Sequence, residues 1–273
     1  MARRDYCRQS VVLHFCGMAF FYRLIVSLLC VIPTLGSALE LTLRDAVQMH
    51  RPSSLHFDAS LCGLWIVNEG REIALLGPTG DITRRFETDL FTAKAISTDG
   101  DNLLISDGFG GFQRLTKDGD PIGDKFRLKT PTWDVEGLIA RPDGSLIMTQ
   151  DDDARVWAET RTGDLIWEIR GFEMSPPMVE PQGIARDRRT GALYVVDDNE
   201  GSNSIFEFAP DGTLVSIVPL SAYGRDAEGI AIQADTGTMW VGFDGGSLLA
   251  VFDYLPGVRT TAPDESGDAC LMF

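Results

Sequence analysis

Three observations predict an all-β fold, a β-propeller of five four-stranded blades. A phrase recurs three times, as Asp134-Val135-Glu136-Gly137-Leu138-Ile139-Ala140, Glu180-Pro181-Gln182-Gly183-Ile184-Ala185 and Asp226-Ala227-Glu228-Gly229-Ile230-Ala231, and its glycines stand 46 residues apart at both intervals. Between the copies lie short runs rich in β-branched and aromatic residues, separated by Asp-Gly and Thr-Gly turns that read as hairpins. No amphipathic helix of ordinary length interrupts them. Four strands per unit of 41 to 46 residues is the pattern of a propeller blade. An antiparallel sandwich need not repeat its turn chemistry at a near-constant interval.

The units follow in order. Ser54 to Asp58 leads to Gly63 to Val67, and Ser54 to Trp65 is 11 residues, the spacing of Gly183 to Tyr194 and Gly229 to Trp240. Ala95-Ile96-Ser97 leads to Asn102-Leu103-Leu104-Ile105 in the second unit. The third runs from Gly137 through Arg141-Pro142-Asp143-Gly144 to Leu146-Ile147-Met148, one residue shorter because its turn is shorter. Outer hairpins turn at Pro78-Thr79-Gly80-Asp81, Lys117-Asp118-Gly119-Asp120, Thr162-Gly163-Asp164 and Pro210-Asp211-Gly212, with a fifth turn expected at Pro256-Gly257. Five units, rather than six, fill residues 51 to 257. The last has three good strands and a weak one near Val258-Arg259-Thr260. Its outer strand is therefore expected from Leu41-Thr42-Leu43 or from Cys270 to Phe273, since an unclosed ring leaves sheet edges bare.

Residues 1–38 read as a cleaved signal peptide: Arg23 precedes the apolar stretch Leu24 to Leu35, and Gly36-Ser37-Ala38 supplies small residues for cleavage. Met18 is an alternative start. The stretch is too short to span a bilayer comfortably, so the expectation is an exported chain, periplasmic or extracellular, without stable membrane insertion after cleavage. Residues 39–273 then form a single propeller domain. Of 24 Lys and Arg and 40 Asp and Glu, four basic residues and one acidic lie in the leader, so the mature charge is −19. Such a surface excludes nucleic acid, whose phosphates need Lys and Arg. Cys62 and Cys270 remain as an isolated pair. In an exported protein they invite a disulfide tying the C-terminal tail to the first blade; the alternative is one buried thiol and one incidental one.

Propeller topology turns the repeat into a spatial statement. The loop entering each innermost strand and the loop between second and third strands open on one face. That face is expected to gather Asp134, Glu136, Asp151, Glu180, Asp197, Asp226, Glu228 and Asp244. With side chains alternating along a strand, the residue before each phrase glycine is expected to face the central channel, in the series Ser53, Lys94, Glu136, Gln182, Glu228. Carboxylates, an amide and a hydroxyl are hard oxygen donors of the sort calcium or magnesium takes. Glu136, Gln182, Glu228, Asp134, Asp226 and Asp197 are therefore candidate ligands of Ca2+ or another divalent cation, while Lys94 could instead pair with Glu136. Two alternatives stay open: the acidic groups cap backbone N–H at blade-to-blade turns, with the glycine serving backbone shape, or Glu136 and Glu228 act directly in acid–base chemistry.

Absences narrow the chemistry. The mature chain has no G-x-S-x-G elbow, no His-x-Glu-x-x-His and no Cys–His pair, and Gly108-Phe109-Gly110-Gly111 lacks the Lys and helix of a phosphate loop. His56 is expected on a strand surface. Trp65, Tyr194 and Trp240 share one repeat position and read as inter-blade packing. Trp133, just before Asp134, is a flat ring beside carboxylates that could stack on an apolar or sugar-like face.

The D-x-E-G-(I/L)-A phrase, followed by a turn and a G-x-L-Y-V-V-D-D-type strand, resembles the exported β-propellers of the SdiA-regulated, YjiK-like group. More loosely it is similar to phytase-like, esterase-like propellers. It is also distantly similar to gluconolactonase-like propellers, whose divalent ion at the channel mouth implies a counterpart ligand in Glu136 or Glu228. The resemblance covers about residues 50 to 257 and implies a propeller often associated with calcium. The expected function is an exported binding or scaffold module, with a divalent cation and a small-molecule or protein ligand on the acidic rim. The alternative is a metal-dependent hydrolase of a lactone, ester or phosphoester, with the ion polarising the bond and Glu136 or Glu228 as base.

Overall fold

A computed structural model describes residues 38–68, 70–129, 132–199, 202–258 and 270–273. The leader expected over residues 1–38, apart from Ala38, lies outside them, as do Arg259 and Thr260. Among the described residues the short apolar runs form twenty strands in five antiparallel sheets of four. After β1 (Glu40–Gln48), blade one holds β2 (Ser54–Asp58), β3 (Gly63–Val67), β4 (Glu72–Leu76) and β5 (Ile82–Glu87). Blade two holds β6 (Ala95–Asp99), β7 (Asn102–Ser106), β8 (Gly111–Thr116) and β9 (Phe126–Arg127). Blade three holds β10 (Val135–Ala140), β11 (Leu146–Gln150), β12 (Arg155–Glu159) and β13 (Leu165–Arg170). Blade four holds β14 (Pro181–Arg186), β15 (Leu193–Asp197), β16 (Ser204–Phe208) and β17 (Leu214–Pro219). Blade five is β18 (Ala227–Gln233), β19 (Thr238–Phe243) and β20 (Leu248–Leu255), completed by β1. The fold is a five-bladed β-propeller.

The outer strand of blade five thus comes from the N-terminal side, with Glu40 opposite Leu255 and Gln48 opposite Leu248. Of the two sources the sequence allowed, Leu41-Thr42-Leu43 is the one used. This corrects the fifth turn expected at Pro256-Gly257: with the sheet edge already filled, Gly257 N donates instead to buried Glu207 Oε1 at 2.8 Å. Cys270 to Phe273 serve a different end. Cys62 and Cys270 are disulfide-bonded, Met272 packs with Leu55, Leu76 and Trp240 between blades one and five, and Arg44 Nη2 donates to Phe273 O at 2.9 Å. The tail therefore straps the same junction that β1 closes.

Five apolar clusters hold the ring, each between consecutive blades. Trp65, Tyr194 and Trp240 are fully buried, and each lies in the cluster shared with the following blade. They are the inter-blade packing residues their shared position predicts. Nearer the axis, space runs out. A Cβ on Gly137 would lie 2.7 Å from Gln182 O, one on Gly183 would lie 2.5 Å from Glu228 O, and one on Gly229 would lie 3.0 Å from Pro52 O. None of the three has positive φ. The phrase glycines are thus required by the approach of neighbouring inner strands, which corrects the expectation that they serve backbone shape. The equivalent residues of blades one and two are the small Ser54 and Ala95, both buried.

Two outcomes follow. Gly183→Ala drives a methyl into the carbonyl of Glu228 and is expected to lower stability by about 1–3 kcal/mol, read as a shifted urea midpoint; an unchanged midpoint contradicts the packing account. The disulfide closes 208 residues, so Cys62→Ser with Cys270→Ser should cost about 2–5 kcal/mol, seen in the same measurement as a lower midpoint matched by reduction of the wild type.

Candidate functional site

Each blade sends two connections to one face: the loop entering its inner strand and the loop between its second and third strands. In blades three, four and five these loops are joined by backbone hydrogen bonds, from Asp151 N to Asp134 O at 3.3 Å, Asp198 N to Glu180 O at 3.0 Å and Asp244 N to Asp226 O at 2.9 Å. Every joint therefore brings two acidic residues together, giving three acid pairs on consecutive blades. Asp134 and Asp226 adopt left-handed backbone, with φ of 59° and 57°, a conformation that Asp tolerates better than most residues.

The residue before each phrase glycine is displaced by a β-bulge. Register slips by one between Val135 and Gly137, between Pro181 and Ile184 and between Ala227 and Gly229. Bulges re-aim a side chain, so the strict alternation assumed from sequence is broken at Glu136 and Glu228. Blades one and two, with Ser54 and Ala95 in place of glycine, pair without a slip at these positions.

Blades one and two contribute two paired basic groups, and Arg225 stands exposed beside Asp226 on the loop entering blade five. Lys94 Nζ lies 3.2 Å from Glu136 Oε1, the pairing that the channel series allowed. Arg51 holds Asp244 in a fork, with Nε to Oδ1 at 2.8 Å and Nη2 to Oδ2 at 2.7 Å. The remaining carboxylates crowd the sector formed by blades three to five. Burial, joined by Asp226, Glu180, Asp151 and Asp197, pushes Asp198 up to about 7. Burial and Asp134 push Asp151 up to about 6, against a 3.1 Å hydrogen bond from Gln182 Nε2. Burial raises Glu136 to about 7, with Lys94 opposing and Asp134 and Asp151 adding to it.

The six predicted ligands do not meet as a set. Glu136 is buried against Lys94, Gln182 is turned to Asp151, and Asp197 is a cap whose Oδ1 accepts Val179 N at 2.8 Å and Glu180 N at 2.7 Å. Asp134 Oδ2 accepts Asp152 N at 3.2 Å. Glu228 and Asp226 sit half-buried at the entry of β18. Among the described residues no three His, Cys, Asp or Glu side chains are arranged to hold a metal ion. Inner-sphere coordination by the predicted set therefore does not fit the geometry. The cap expected of these acidic groups is realised at Asp197, and Asp198 joins the crowded sector in its place. Counting from the phrase finds Asp198: it follows Glu180 by 18 residues as Asp244 follows Asp226, and Asp151 follows Asp134 by 17 because of the shorter third turn.

His56 is half-buried on β2 with Nε2 2.8 Å from Thr98 Oγ1, and burial lowers it to about 4. The Gly108 loop is a tight strand connection, with Gly108 and Gly110 at positive φ and Asp107 Oδ1 accepting Phe109 N and Gly111 N, each at 2.8 Å.

No protein-family profile matches the chain, and no curated protein matches it. Among solved structures it is similar to glutaminyl cyclase of Myxococcus xanthus, with a TM-score of 0.60 and 14% identity over 79% of this chain and 97% of that one. It is also similar to the β-propeller domain of Cps50 (Swd1) of Myceliophteria thermophila, with a TM-score of 0.51 and 9% identity over 78% and 99%. Virginiamycin B lyase of Staphylococcus aureus matches at a TM-score of 0.45 and 18% identity, over 70% and 62%. At these identities the first two likenesses show the β-propeller fold alone.

Raised carboxylate pKa values mean that the folded chain binds more protons than the unfolded one between the two values. That contribution to stability is fully present below the unfolded values of 3.8 and 4.5 and is lost as pH rises through about 6 to 7. His56, lowered from 6.5, acts in the opposite sense only below that value. Between about pH 6.5 and about pH 8 the melting temperature is therefore expected to fall, and Asp198→Asn to flatten the fall. Calorimetry giving wild type and variant the same slope contradicts the crowding.

Proposed function

We propose that this chain is an exported binding propeller whose acidic face takes a cationic ligand. The observation that carries the reading is the sector of blades three to five, where hydrogen-bonded loops pair Asp134 with Asp151, Glu180 with Asp198 and Asp226 with Asp244, and burial together with these neighbours pushes Asp151 up to about 6 and Asp198 up to about 7. Like charges held together destabilise the folded state, and a bound cation offsets that by mass action. Calcium is the simplest such ligand, since these are oxygen donors; with Glu136, Gln182 and Asp197 already engaged, the face suits a cation held by its field, or an organic cation, better than a caged ion. The Cys62–Cys270 disulfide supports export, because such bonds persist in oxidising compartments. The phrase-level resemblance to SdiA-regulated, YjiK-like propellers agrees with a binding role.

One observation favours a second reading. Glu136 is buried, sits near pH 7 and lies beside a lysine ammonium, as suits a general base. A hydrolase of lactones, esters or phosphoesters would use Glu136, or failing it Glu228, to take the proton of an attacking water.

Calorimetric titration and thermal shift at about pH 8, above the raised carboxylate values, separate the two. On the binding reading, calcium or a primary ammonium such as cadaverine binds saturably and raises the melting temperature. Asp151→Asn with Asp198→Asn removes that response while itself raising the ligand-free melting temperature. No saturable binding of any cation overturns it. Turnover of a lactone, ester or phosphoester that is lost in Glu136→Gln establishes the hydrolase.

A further inference from the structure

Four aromatic side chains are exposed among the described residues: Phe91 at 85%, Phe109 at 56%, Trp133 at 49% and Phe172 at 59%. All four lie on connections of the acidic face. Phe91 is between β5 and β6, Phe109 between β7 and β8, Trp133 between β9 and β10, and Phe172 in the 3-10 turn Gly171–Glu173 between β13 and β14. The connections of the opposite face carry no exposed aromatic ring among the described residues. Packing does not explain these rings, because a ring used for packing is buried, as Trp65, Trp157 and Trp240 are.

Close contacts hold the described parts of the loops beneath Phe109, Trp133 and Phe172. Phe109 N donates to Asp107 Oδ1 at 2.8 Å, and Phe109 O accepts Arg127 Nη1 at 2.8 Å. Gly110 presses on the residue before Trp133, since a Cβ there would lie 2.5 Å from Thr132 O. Gly108 O accepts Val135 N at 3.0 Å, so the Phe109 and Trp133 loops are packed on each other. Gly171, under Phe172, donates to Ala154 O at 2.6 Å. The face thus presents exposed apolar rings on the connections of blades two to four, with Trp133 next to Asp134 of the acidic sector.

A bare metal ion has no use for the rings, and the formal charge of −16 repels phosphate-rich surfaces. Rings beside carboxylates match a chain carrying both apolar and basic side chains. Guanidinium and ammonium groups stack on or sit over aromatic faces, and their charges pair with carboxylates. The rings are spread over connections of three blades, wider than one small molecule reaches. We infer that the acidic face is a docking surface for a Lys/Arg-bearing, apolar segment of a partner protein, with Phe109 and Trp133 as its central anchors and Asp134, Asp151 and Asp198 as its charged edge. The inference rests on the cation-binding reading and narrows its ligand to a polypeptide.

The test uses the full mature chain and a fluorescein-labelled peptide in which Lys, Arg and Phe are spaced by Gly and Ser. Controls are a peptide with Ser for every Phe and one with Glu for every Lys and Arg, and calcium is titrated into the same protein. The basic Phe peptide is expected to bind saturably in anisotropy and to protect Trp133 from acrylamide quenching, a protection absent in Trp133→Phe. Phe109→Ala with Trp133→Ala should weaken it about 10-fold or more, with an unchanged melting temperature because both rings are exposed. Equal binding of the Ser control, or an unweakened double variant, overturns the inference while calcium binding upholds the reading beneath it. Failure of every cationic probe, calcium included, removes both.

Discussion

Everything on the acidic face depends on how closely the five inner strands approach one another around the axis. At that layer the chain places Ser54, Ala95, Gly137, Gly183 and Gly229, and for the three glycines the nearest neighbours of an added Cβ include backbone atoms of the next blade. A side chain there would push two strands apart and open the ring. Closure at the outside answers the same need: β1 fills the edge of blade five, and the Cys62–Cys270 bond with the tail behind it fastens blade five to blade one.

The glycines are also where chemistry enters. In blades three, four and five the inner strand meets its partner with a bulge just before or at the glycine, and the entering loop carries an acidic residue joined to a second one on the neighbouring loop. Blades one and two lack both glycine and bulge, and bring Arg51 and Lys94 instead. These cations meet Asp244 and Glu136 across the blade boundaries. The ring is therefore electrostatically lopsided. Lys94 and Arg51 pair with carboxylates of the flanking blades, while burial, with neighbouring carboxylates adding to it, raises Asp151 and Asp198 on blades three and four. Exposed aromatic rings lie on the same face, which gives it an apolar component that charge alone lacks.

Much of the fold was legible because the repeat carries its own register. Equal spacing from Ser54, Gly183 and Gly229 to Trp65, Tyr194 and Trp240 placed the packing residues, and the Gly80, Gly119, Gly163 and Gly212 turns all have the positive φ their Asp-Gly and Thr-Gly contexts imply. The Lys94–Glu136 pair followed from lining up the copies. What escaped depended on geometry that spacing does not carry. A bulge is a one-residue slip between two strands, and alternation along a single strand does not reveal those beside Glu136 and Glu228. Asp197 and Asp198 are adjacent in the chain, and the backbone N–H groups of Val179 and Glu180 decide which of them is a cap. The competition between β1 and the tail for one sheet edge was settled by pairing, and that displaced the expected turn at Pro256-Gly257.

Three copies of one phrase gather carboxylates on one face, where burial, with neighbouring carboxylates adding to it, raises Asp151, Asp198 and Glu136 toward neutrality. Direct titration of the side-chain carboxyl carbons by NMR tests it most plainly. Asp198 and Glu136 are expected near 7 and Asp151 near 6. Ordinary values close to 4 for all three would contradict it, because the carboxylates would then be neither buried nor crowded as the fold requires.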